Sequence, residues 1–221
     1  YFISGYKYLF VAVDHLTKYP FAQPLKRKGA IDVLGALEKM FLLFGTPRTI
    51  ISDNGGEFVN GTIGKLFSDN DVEHRTTAAY HPQANGLTER MNNTIKSSLV
   101  KTSDPAEAWP EFLDQVLLGI RQHKCRATNK DSIEVMIGKK LASLSSEPCS
   151  DKDCEKFLEN FDSEAETFLL EREKVRENIL SEQDKQKKSF DSKQKKNLPE
   201  VKVGDEVFIE NSRKRKMKGG K

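Results

Sequence analysis

Apolar residues change their period repeatedly along the first 141 positions, and that alternation restricts the chain to folds in which strands and helices stack in layers. Residues 6–14, YKYLFVAVD, set Leu9, Val11 and Val13 on one face and Tyr8, Phe10 and Ala12 on the other, as a buried strand does. A turn and a second short strand follow in TKYPFAQPL. From Ile31 to Phe44 the apolar spacing becomes three and four (Ile31, Leu34, Leu37, Phe41, Phe44), and Gly45 with Pro47 ends that helix. RTIISD then gives a compact strand, residues 60–70 a helix and HRTTA a short strand. The stretch after Gly86 starts a helix near Leu87 whose stripe Leu87, Met91, Ile95 and Leu99 faces the core. Further helices are expected at about 105–123 and 131–141, with Trp109 and Phe112 in the core. The pattern predicts an α/β domain with a mixed sheet.

Downstream the texture changes. Ser, Asp and Cys crowd residues 143–155, which read as a linker. Leu158, Phe161, Ala165, Phe168, Arg172, Val175 and Ile179 then keep a heptad-like spacing, too short to choose between a self-associating helix and one that docks on the main domain. Residues 199–210, PEVKVGDEVFIE, read as a turn and a strand that begins a new β unit. No apolar run approaches the roughly 20 residues that span a bilayer, so no membrane partner is expected and the chain reads as soluble and intracellular. Cys125, Cys149 and Cys154 are odd in number and form no Cys-x-x-Cys pair, which argues against a disulfide framework or a structural zinc site. His15, His74 and His123 show no metal-ligand spacing either. Charge is uneven: residues 185–221 hold 13 Lys/Arg against 5 Asp/Glu, the rest 23 against 28, so a tail near +8 follows a body near -5. Such a tail suits a polyanion such as nucleic acid, or is simply solvated.

Two acids carry the chemistry. Asp53 ends the strand RTIISD and precedes Asn54, Gly55 and Gly56, so its side chain projects from a sheet edge beside a turn. Glu89 follows after thirty-five intervening residues, in what reads as the first turn of a helix. Hard oxygen ligands of this kind hold Mg²⁺ through one or two carboxylates. Taken alone, the same pair is more often an Asp that caps a turn and a Glu that faces a helix dipole.

The wording around both acids decides between these readings. "SDNGGEF" with Asp53, thirty-five residues, and "HPQANGLTERMN" with Glu89 closely resemble the catalytic core of retroviral and gypsy-type LTR-retrotransposon integrases. "GYKYLFVAVDHLTKYPFAQPL" and "FGTPRTI" share the resemblance, which runs on to "DSIEVMIGKK", where Ile133 stands at a position commonly Pro in the family. "VKVGDEVFIE" and "KMKGGK" are similar to the opening of the C-terminal SH3-like β-barrel domain of the same enzymes. The resemblance implies an α/β ribonuclease-H-like fold with a mixed five-stranded sheet flanked by helices. It implies a catalytic core over residues 1–142, a linker over 143–155, a helical extension over 156–196 and the start of the β-barrel over 197–221. It also implies DNA integration, by metal-dependent 3′-end processing and strand transfer. In the family three carboxylates hold two Mg²⁺ or Mn²⁺ ions; Asp53 would be the second acid and Glu89 the third, each catalytic and metal-binding.

The first acid of that set lies, in the family, just upstream of the "GYKYLFVAVD" equivalent, before Tyr1, and Asp14 matches a position not used as a ligand. The expectation is therefore a fragment inactive in strand transfer by itself. Tyr80, His81, Gln83 and Asn85 fall in the loop that in the family lies beside the active site, and Asn93 and Lys96 follow Glu89 on one helix face, so all six are expected to meet DNA. Arg213, Lys214, Arg215 and Lys216 read as phosphate contacts or a nuclear import signal, which points to a nuclear protein. DNA and further copies of the chain are the expected partners, with no small-molecule substrate. The alternative is a domesticated or inactive derivative that keeps the fold as a DNA-binding or interaction module; a nuclease acting on RNA in hybrids fits the loop and helix wording less well.

Overall fold

Strand β1 (Tyr8–Val13) pairs antiparallel with β2 (Pro20–Leu25), with Tyr8 opposite Leu25 and Val13 opposite Pro20, in a computed structural model that describes residues 5–77, 82–103, 108–138 and 161–194. Side chains close the turn between them. Asp14 Oδ2 accepts from the Thr17 backbone N–H at 2.7 Å and from its hydroxyl at 2.8 Å, and the Lys18 ammonium donates to the His15 carbonyl at 2.6 Å. A second pair, β3 (Thr49–Ser52) and β4 (Glu73–Thr76), is parallel, with Ser52 opposite Thr76.

Period two in β1 and β2 sends alternate residues into two different cores. Phe10, Phe21 and Leu25 pack with Val33, Ala36 and Leu37 of α1 (Ala30–Phe44), Ile63 and Phe67 of α2 (Gly61–Asp69), and Val72. Ile50 of β3 joins the same cluster. On the other side, Leu9, Val11 and Ala22 pack with Ile95 and Leu99 of α3 (Pro82–Thr102) and with Leu113, Val116 and Leu117 of α4 (Trp109–Arg121). Trp109 and Phe112 lie in that second cluster, as their helical spacing predicts. Helices thus cover both faces of the β1–β2 hairpin, the layered arrangement that alternating patterns imply. The expected single five-stranded sheet is not what the described residues form. They make two two-stranded sheets, because β1 and β3 share no backbone hydrogen bonds and the two pairs are joined only through side chains packed on α1 and α2.

Helix ends follow local chemistry. Asn60 caps α2 by accepting from the Ile63 N–H at 3.0 Å, and α1 stops where Gly45 takes φ 81° and donates to the Phe41 carbonyl at 2.8 Å. The start expected near Leu87 is corrected to Pro82, so α3 includes Gly86 and places Glu89 two turns inside the helix rather than in its first turn. Proline suits that first position because no helical partner awaits an N–H there. Helix α5 (Ser132–Ile137) is shorter than the expected 131–141 because Gly138, at φ 81°, turns left-handed.

The heptad-like seam lies on α6 (Phe161–Gln194) from Phe161 onward, with Leu158 outside the described residues, and its part around Val175 and Ile179 docks rather than standing free. Val175 and Ile179 are buried against Val135 of α5 and Leu16, and Lys130 bridges Glu134 at 3.0 Å and Glu171 at 2.8 Å. The chain divides into two units, Tyr1–Leu180 and Ser181–Lys221. In the second, the described helix carries the ion pairs Lys185–Glu182 and Lys188–Asp184. The linker at 143–155 and the β unit at 197–221 lie outside the described residues.

Gly138, just past α5, lies close against α6, since a Cβ there would lie 3.0 Å from Phe168 Cδ2. Gly138→Ala therefore adds a left-handed alanine, costing about 1–2 kcal/mol, to a displaced Phe168. We expect a lower denaturation midpoint together with faster amide exchange at Val175 and Ile179. Wild-type exchange at both residues would show that the helix does not depend on this contact.

Candidate active site

Strand β3 ends in Ser52, which is buried, and the chain leaves the sheet at Asp53. The Ser52 hydroxyl donates to the Asp53 carbonyl at 2.8 Å and lies 2.9 Å from Nε2 of His74 on β4, whose ring packs on Phe67 with centroids 4.8 Å apart. The backbone of residue 53 is therefore fixed from below, while its side chain is exposed. Asp53 Oδ1 accepts from the Gly55 N–H at 3.2 Å, a long bond that leaves most of the carboxylate's acceptor capacity open.

A tight turn follows, in which Phe58 and Val59 donate to the Gly55 carbonyl at 2.9 and 3.0 Å. It folds Glu57 back over Gly55. A Cβ on Gly55 would lie 2.7 Å from Glu57 Oε2 and 3.0 Å from Asp53 Oδ1, so the two carboxylates converge over this glycine. Lys28, from the link between β2 and α1, closes the group with its ammonium 3.0 Å from Glu57 Oε1. The hydrogen bond to Glu57, then the charges of Glu57, Asp53 and Tyr8, hold the Lys28 pKa above the ordinary lysine range. Burial alone would raise Glu57, but its own backbone N–H and Lys28 outweigh that and hold it low.

Glu89 stands exposed on α3, off the buried stripe of Met91, Ile95 and Leu99, beside Arg90, which donates to the Gly86 carbonyl at 2.9 Å. Asn93 and Lys96 follow one and two turns along the same exposed face. Gln83 and Asn85 belong to the first turns of α3; Tyr80, His81 and Arg213 to Lys216 lie outside the described residues. Among the described residues no three His, Cys, Asp or Glu side chains form a group that could hold a metal ion. Lys28, Glu57 and His74 were not singled out by sequence reasoning. The basic run Lys26, Arg27, Lys28 and the acid inside "SDNGGEF" were the available signals, but nothing local pairs residues 28 and 57.

His74 gives the strand-end support a pH dependence. Burial holds its pKa below the ordinary 6.5. Just under that value the unfolded chain binds a proton that the folded imidazole resists, so stability falls as pH drops through this window and levels off above it. His15 acts with the same sign, through burial first and then the charge of Lys18. Urea unfolding of His74→Gln is expected to show a flatter dependence between about pH 5 and 7; an unchanged slope would remove His74 from the account.

Comparison with known proteins places this geometry in context. Residues 2–82 match the family model described as integrase core domain. The chain is 31% identical over 140 residues to the uncharacterized protein K02A2.6 of Caenorhabditis elegans, covering 63% of this chain and 11% of that protein. It is 37% identical over 121 residues to the Pol polyprotein of feline endogenous virus ECE1, covering 53% and 12%. The match thus takes up about a tenth of the length of these curated relatives. Among solved structures, the HTLV-2 integrase catalytic core domain in complex with magnesium, in trimeric form, superposes with a TM-score of 0.50 at 23% identity over 62% of this chain and 89% of that one. The simian T-cell lymphotropic virus intasome gives 0.52 at 22% identity, over 64% and 52%. At such identity these two likenesses speak for the fold, a mixed α/β arrangement of the ribonuclease-H-like kind.

Proposed function

We propose that this chain, whose residues 2–82 match the integrase core domain model, is the core of a polynucleotidyl transferase that processes the 3′ ends of element DNA and joins them to target DNA. The observation that carries the proposal is the strand end at Asp53. A carboxylate with most of its acceptor capacity open projects from a rigidly held backbone into a turn lined by Glu57 and Lys28.

Asp53 and Glu89 are exposed carboxylates, the oxygen-donor type that binds Mg²⁺ or Mn²⁺ with water and phosphate completing the shell. In the proposed enzyme these two residues hold the ions together with a third carboxylate. Bound ions of this kind stabilise charge on the attacking and leaving oxygens of an in-line displacement. The protein's own part is positional. Asn93 and Lys96, on the face of α3 that bears Glu89, contact the DNA end, and Tyr80, His81, Gln83 and Asn85 frame it. Arg213 to Lys216 add phosphate contacts in a nuclear protein. Paired DNA ends require more than one core, so a homo-oligomer is part of the proposal.

A second reading, a DNA-binding module without catalysis, is favoured by one observation: no three-carboxylate group exists among the described residues. Titration with Mn²⁺ in the presence of a terminal DNA duplex separates the two. The enzyme reading expects metal to tighten DNA binding about tenfold or more. Equal affinity in Mn²⁺ and in chelator would leave only the binding module.

A further inference from the structure

We propose that Lys28, presented by Glu57, is a phosphate-contacting residue of the Asp53 site, and that Glu57 is its positioning residue. The inference rests on the integrase reading and extends it to Lys28, outside the acid motif, and to Glu57, a second acid within it. Lys28 reaches the site from outside the β3 turn: it follows β2, 25 positions before Asp53, and no local pattern brings the two together. Tertiary structure does so through the 3.0 Å contact between the Lys28 ammonium and Glu57.

The asymmetry of that pair shows which member is fixed and which is offered. The Glu57 side chain is only 14% exposed, pinned in the turn over Gly55, whereas Lys28 is 62% exposed. An exposed ion pair contributes little to stability, and an ammonium has three donors, of which Glu57 uses one. The remaining two are left to the solvent-exposed lysine, which also feels the charge of Asp53, while the other Glu57 oxygen, Oε2, converges with Asp53 Oδ1 over Gly55. The local charge also sets an order of events. Asp53 and Glu57 outweigh Lys28 by one unit, so a bare phosphate meets net repulsion, while a phosphate accompanied by a divalent cation on Asp53 meets Lys28 as its second counter-charge. Lys28 thus couples phosphate binding to metal binding.

The test measures binding of a terminal DNA duplex to the full chain in Mn²⁺ across a range of salt concentrations. Lys28→Ala is expected to weaken binding roughly 5- to 20-fold, the loss of one charge-assisted hydrogen bond, and to reduce the slope of log affinity against log salt by about one, uniformly across DNA sequences. Lys28→Arg should restore the slope. Glu57→Gln keeps the lysine charge but frees its position, so affinity should fall while the slope stays near wild type; its thermal midpoint confirms that the fold persists. A wild-type slope and affinity in Lys28→Ala, with metal-stimulated binding intact, overturns this inference and leaves the integrase reading standing. Loss of metal stimulation in the wild-type chain overturns both.

Discussion

Asp53→Asn is expected to abolish metal-stimulated binding of a DNA end, with Mn²⁺ affinity falling at least about 100-fold and the fold unchanged. The asymmetry follows from the local geometry. Asn keeps an acceptor for the Gly55 N–H, which at 3.2 Å is a weak bond in any case, and the backbone of residue 53 is held by Ser52 and His74 rather than by its own side chain. What the substitution removes is the negative charge that a hard cation requires. Glu89→Gln should act likewise, since Glu89 is exposed and off the buried stripe of α3. Isothermal titration with Mn²⁺, alongside thermal melts, reads both properties. Undiminished Mn²⁺ binding by both variants would remove these acids from the proposed metal set.

The second large effect concerns the fold. Leu37, 2% exposed, lies in the cluster that joins side chains of β1 and β2 to those of α1, α2 and β3, so Leu37→Ala empties the seam on which both small sheets depend. Such a cavity costs about 2–5 kcal/mol, a large share of the roughly 5–15 kcal/mol that stabilises an ordinary domain. Leu42, on the same helix but 88% exposed, is the control, and Leu42→Ala should change stability by less than about 0.5 kcal/mol. Urea unfolding that finds the two variants equivalent would contradict the assignment of α1's buried face.

Part of that face was legible in the sequence, as were most local elements: Leu37 is buried and Leu34 and Phe41 pack partly against the core, but Ile31 and Phe44 are exposed, and Val33 and Ala36 are buried instead. The three-and-four spacing from Ile31 to Phe44, the stop at Gly45, the alternation in β1 and the stripe on α3 are produced by residues within a turn or two of one another. The start of α3 was misplaced because Gly86 reads as a breaker, whereas the helix begins before it at Pro82. The seam of α6 was visible, but its partner was not: its apolar positions fit a second helix as well as they fit Val135 and Leu16. Asp53 was legible as a strand-end acid, and the family resemblance singled out Glu89.

Sequence by itself determined the strands, the helices, most of the faces they bury and the acids that stand apart from those faces, because these properties arise from periods of two and 3.6 residues and from neighbours along the chain. Tertiary structure alone decided that the four described strands pair two by two, that α6 docks on α5, and that Lys28 meets Glu57 over Gly55. Those are contacts between residues far apart in the chain, and a contact of that kind is selected by the packing of the whole core rather than by any pattern its two members carry.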